Sequence, residues 1–171
     1  TGPNRELFYL TRMIDPSKSF LQPQPSPEPV GHTFIMVMGS PDLEASLSFW
    51  RRHFDTNVVG PIPYRIGVLS DAYDLPQDTF HPLALVSMSD GYGIEIDQYP
   101  EGARAVPAPE GERGGVILVS LSVDPEGLKA PLPWRLPYID TAGAVEGGVI
   151  ILPSGAPIEV ALTTAMLPAP A

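Results

Sequence analysis

Three segments of the chain repeat one pattern: a tight turn, then a strand with a single glutamate set between apolar residues. Asp90-Gly91-Tyr92-Gly93-Ile94-Glu95-Ile96 is one, Pro153-Ser154-Gly155-Ala156-Pro157-Ile158-Glu159-Val160 a second, and Gly2-Pro3-Asn4-Arg5-Glu6-Leu7 a third. Two strand openings also match, Gly31-His32-Thr33-Phe34 and Gly115-Val116-Ile117-Leu118. A repeat constrains architecture more than any single motif, because each copy implies the same supersecondary unit. The spacing predicts a β-α-β-β-β module over residues 31–98 and a second, degenerate module over 115–163. Residues 1–13 read as an orphan strand, the last strand of a preceding module.

Proline sets the boundaries between these units. The chain has 22 prolines and 16 glycines in 171 residues, which favours short strands and many turns over a helical bundle. Residues 14–30 form a proline-rich linker, 99–114 a connector rich in proline, glycine and charge, and 164–171 a frayed tail. Four prolines between 124 and 137 exclude a full helix there, so the helix of the second module is expected to be eroded.

The first module carries the one strong helix signal. Leu43, Leu47, Trp50 and Phe54 fall on one stripe. Ser40 can cap with Pro41 in the first turn, and Arg51, Arg52 and His53 close the last turn, where the macrodipole favours cations. Strands are predicted at 32–38, 64–70, 83–89, 92–98, 115–123, 149–152 and 158–162, with a loop at 71–82. Asp90-Gly91 is expected to make a two-residue hairpin turn. Alternation places Tyr92, Ile94 and Ile96 on one face and Glu95 and Asp97 on the other.

Charge and composition exclude several functions. Ten basic residues against twenty acidic ones give a net charge of −10, which repels phosphate backbones, so nucleic acid is not an expected partner. No apolar run approaches the roughly 20 residues of a membrane helix. Cysteine is absent, removing disulfides, thiolate metal sites and cysteine nucleophiles; the cytoplasm is the default location. No G-x-S-x-G, P-loop or dinucleotide fingerprint is present.

The Gly31-His32 strand opening, the Leu43–Phe54 helix with its Phe49-Trp50, the D-G-Y-G-I-E-I-D hairpin, the Pro137-Tyr138 segment and the G-A-P-I-E-V finish together resemble the vicinal oxygen chelate superfamily of glyoxalase I, bleomycin-resistance proteins and extradiol dioxygenases. The resemblance covers residues 31–163. It implies an α+β fold of paired βαβββ modules whose mixed sheets curl into a small-molecule cup. It implies a divalent metal (Fe, Mn, Ni or Zn) held by His32, Glu95 and Glu159, with Glu95 or Glu159 as catalytic base. Val116 falls at the fourth ligand position and cannot bind a metal.

Each candidate has a plainer role beside the functional one. Glu95 could lie on a solvated face with Asp97, and Glu159 likewise between Ile158 and Val160. His32 could be an edge histidine, and His53 a dipole-compensating residue. Tyr138, Tyr92, Arg65 and His81 are candidate substrate-binding residues, with packing or a place on the rim as the alternative. Three functions follow: a metal-dependent lyase, isomerase or ring-cleaving dioxygenase; a metal-free binding module for a planar or hydrophobic small molecule; or a non-catalytic half of a larger protein. The apolar strand at 1–13 should find a partner, so a homodimer or strand exchange is expected.

Overall fold

A computed structural model describes residues 7–12, 14–15, 17, 25–103 and 116–163 of the chain. The turn at residues 2–4, Glu6, most of the 99–114 connector, Gly115 and the 164–171 tail lie outside the described residues.

The first module contains β1 (Ile35–Ser40), α1 (Leu43–His53), β2 (Val58–Arg65), the short α2 (Gly67–Ala72), β3 (Phe80–Ser87) and β4 (Gly93–Gln98). The second contains β5 (Val119–Val123), β6 (Trp134–Ile139), β7 (Val145–Ile151) and β8 (Pro157–Leu162), with a 3₁₀ turn at Pro125–Gly127 where the first module has its long helix. Each module makes a four-stranded mixed sheet, ordered β1-β4-β3-β2 and β5-β8-β7-β6. In both, the first strand runs parallel to the last and the other pairs are antiparallel. The fold is therefore α+β, with two βαβββ-type modules and the helix of the second eroded.

The helix forms where its apolar stripe requires. Leu43, Leu47, Trp50 and Phe54 are all buried, and they share one core with Ile94 and Ile96 of β4 and with Ile150, Ile158 and Val160 of the second sheet. One helix thus serves two sheets. Its N-cap is Asp42, whose carboxylate accepts from Ala45 N at 2.9 Å. The expected cap, Ser40, is buried instead and its hydroxyl contacts Ser46 Oγ at 2.9 Å. Pro41 pushes its predecessor toward extended backbone, and the helix begins only after Asp42. Gln98, ending β4, accepts from Leu43 N and donates to Pro41 O, both at 2.8 Å, tying strand to helix. At the other end Asp55 N donates to Gly127 O and Lys129 N to His53 O, which fixes the second module against the end of α1.

Several sequence expectations are corrected. The predicted strand at 64–70 is displaced: β2 runs 58–65 and 67–72 is helical. Pro61 and Pro63 disguise β2, yet it is the edge of its sheet, where a missing N–H leaves no ladder bond unmade. β3 starts at Phe80, inside the expected loop, and β6 occupies the proline-rich 134–139, again at an edge. The β3–β4 connection is longer than two residues: a 3₁₀ turn covers Ser89–Gly91, and Met88 N donates to Tyr92 O. Gly91 takes φ 79°, the left-handed conformation that favours glycine. Residues 7–12 form no strand, and Phe8 and Leu10 are exposed. Among the described residues no helix is long and apolar enough to cross a membrane.

Candidate functional site

Strand alternation sorts the first sheet into two faces. The even-numbered residues Ile94 and Ile96 of β4 meet α1, together with Ala84 and Val86 of β3. On the opposite face, Glu95 stands beside Val37 of β1 and Leu85 of β3, and Asp97 beside Gly39 and Leu83. Tyr99 continues this face beyond the strand. A Cβ at Gly39 would lie within the Tyr99 ring, so the ring packs over the bare backbone of that glycine, next to Asp97. Two carboxyls thus lie side by side, flanked by aliphatic and aromatic side chains.

This face is not solvated at Asp97, which is 5% exposed. Its Oδ1 is buried and has no hydrogen-bond partner among the described residues. Burial first, then the charge of Glu95 and a hydrogen bond to it, pushes Asp97 from 3.8 to about 7. Burial also raises Glu95, opposed by the hydrogen bond from Asp97. The pair therefore titrates as a unit, and as the pH approaches neutral the two carboxyls share a proton. Tyr9 and Tyr99 are both raised, by burial first; the negative charge of Asp97 adds to each, and that of Glu95 to Tyr9. Tyr9 belongs to the short described segment 7–12, near enough for the charges of the pair to act on its hydroxyl.

In the second sheet the matching strand position is Glu159. It stands between Ser120 of β5 and Val149 of β7. Ser120 Oγ donates to one carboxylate oxygen, and Tyr138 OH donates to the other at 2.8 Å. Tyr138 pairs with Gly147, which has no side chain to obstruct the phenol. The two donors, Ser120 foremost, hold Glu159 below its ordinary value, and donating this bond raises Tyr138. The two modules thus treat the same position in opposite ways. Where Ser120 satisfies Glu159, Val37 offers Glu95 nothing, and Glu95 turns to Asp97 instead.

The remaining candidates are dispersed. His32 is exposed and precedes β1 by three residues; Val116 is exposed ahead of β5. Among the described residues, no group of three or more His, Cys, Asp or Glu side chains stands together in a way that could hold a metal ion. His81 shares the face of Leu83 but is buried, its Nε2 3.1 Å from Ser70 Oγ. Arg65 pairs with Phe80 on the other face, its guanidinium 4.9 Å from the ring centroid. Tyr92 precedes β4 in step with Ile94 and Ile96, away from Glu95. Asp97 and Ser120 were not among the candidate site residues. Their signal was the alternation itself, since E-I-D and S-L-S each put two polar groups on one strand face.

No known protein-family model matches the chain, and no curated protein sequence matches it. Solved structures do. A glyoxalase family protein from Bacillus cereus is 14% identical, with a TM-score of 0.51, covering 81% of this chain and 98% of its own. The trypanothione-dependent glyoxalase I of Leishmania major is 17% identical, with a TM-score of 0.45, over 77% of this chain and 86% of its own. A protein from the mobile metagenome of V. Pseudocholerae is 13% identical, with a TM-score of 0.43, over 81% and 98%. The likeness to the Bacillus cereus protein, with the paired βαβββ topology, shows a glyoxalase-like fold.

Proposed function

We propose that the chain is a metal-independent small-molecule-binding module built on the glyoxalase-like fold, its ligand seated on the Glu95–Asp97 face. One observation carries this: both carboxylates that the resemblance assigns to a metal are engaged by neighbours on their own sheets. Glu159 accepts hydrogen bonds on both oxygens, from Ser120 and Tyr138. Glu95 stands beside Asp97 on the same strand face, and the proton that the two carboxyls share competes with a cation for them. A metal site would need these carboxylates turned toward a common centre with His32, and Val116 supplies no fourth donor. Among the described residues, these side chains do not come together around a divalent cation.

The face itself suits an organic ligand. Val37, Leu85 and Tyr99 offer apolar contact around a few polar groups, the usual make-up of a small-molecule site. Elemental analysis of protein purified without chelator, beside His32→Ala and Glu95→Ala variants, tests the proposal. Less than a tenth of an equivalent of transition metal is expected in all three, even after incubation with Fe, Mn, Ni and Zn. About one equivalent in the parent, lost in both variants, would overturn it and restore the metal-dependent enzyme.

A further inference from the structure

We infer that the Glu95–Asp97 pair receives an organic cation, a protonated amine or amidinium on an apolar body, whose N–H donates to Asp97 Oδ1; this rests on the metal-independent binding site proposed above. The decisive feature is the unsatisfied oxygen. Asp97 is 5% exposed and its Oδ1 has no partner among the described residues. A buried carboxylate oxygen without a donor is a costly arrangement that folded proteins rarely keep without a use for it. The missing complement is a donor: with the shared proton held between Asp97 and Glu95, Oδ1 is left only to accept.

Charge narrows the class. Among the described residues, the charge acting on Asp97 is that of Glu95, and no cation offsets it. A donor that also carries positive charge would relieve both the desolvation and the repulsion between the two carboxyls, and charge-assisted bonds are the stronger ones. Shape narrows it further. The Tyr99 ring fills the space over Gly39 on one side of Asp97, and Leu83 closes the row on the other. These surfaces take an apolar body attached to the cationic nitrogen, and the tyrosine ring offers it an aromatic contact. A small hydrated inorganic cation would leave them uncovered.

The test uses benzylamine, with benzyl alcohol as its uncharged counterpart, titrated into the full chain at pH 7 and followed by calorimetry and amide NMR. Benzylamine is expected to saturate and to move the amides of residues 37–39 and 95–99. Its affinity should exceed that of benzyl alcohol about 10-fold or more, and fall by a similar factor in Asp97→Asn and in Glu95→Gln. The spectra of each variant report its folding, and the two variants guard against failure of either alone. Equal affinity for the two probes at these amides, unchanged in both variants, would overturn the cation while leaving the binding face intact. If neither probe moves these amides, the cation is refuted; uptake of one equivalent of a transition metal that Glu95→Gln abolishes would refute the binding module as well.

Discussion

Replacing Asp97 with Asn removes the charge at nearly constant shape, so the stability of the two proteins should diverge with pH in a fixed direction. Asp97 is raised from 3.8 to about 7, chiefly by burial. A carboxyl with a raised folded-state pKa binds its proton more tightly in the native than in the unfolded chain. Its contribution to stability is therefore full below pH 3.8 and is lost as the pH rises through about 7. Each tenfold change in proton affinity is worth about 1.4 kcal/mol, so complete loss amounts to about 4 kcal/mol. Relaxation of the native structure around the ionised carboxyl offsets part of this, leaving about 2–4 kcal/mol. Asn can keep the hydrogen bond to Glu95 through its amide N–H, so little else should change. The assay is urea unfolding between pH 4 and 8.5, followed by the fluorescence of the buried Trp50. Asp97→Asn should exceed the parent by about 2–4 kcal/mol at pH 8.5 and converge with it near pH 4. Parallel pH profiles, or a variant less stable at pH 8.5, would refute the reasoning.

Other perturbations probe the remaining links. Leu47→Ala, at a fully buried position of α1 within the common core, should cost about 2–5 kcal/mol by urea denaturation. Asp42→Ala removes the hydrogen bond to Ala45 N and should cost about 1 kcal/mol, with faster amide exchange in the first turn of α1; an unchanged exchange pattern would return the cap to Ser40. Ser120→Ala and Tyr138→Phe should each let the depressed Glu159 carboxyl climb back toward its ordinary value of 4.5, Ser120→Ala by more, as read by carbon NMR titration. The exposed apolar segment Leu7–Leu10 should draw the chain into a dimer or strand exchange; sedimentation showing only monomer at high concentration would contradict this.

The sequence determined the elements whose signal is periodic. The α1 stripe is buried at every position it named, and the repeated turn-and-glutamate strands became β4 and β8, the last strands of equivalent sheets. Edge strands escaped notice because their prolines break the local pattern, although an edge tolerates them; only the strand order shows that β2 and β6 are edges. The sequence also put Glu95 and Asp97 on one face, yet it could not say whether that face met water. Burial is a property of what covers a strand, and here the neighbours are Val37, Gly39, Leu83 and Leu85 from β1 and β3, with Tyr99 folded back over Gly39. For the same reason two glutamates in matching motifs look alike in the sequence and behave oppositely in the fold. Register places Ser120 and Tyr138 around Glu159 but offers Glu95 only a second carboxyl, and register is fixed by contacts between segments far apart in the chain.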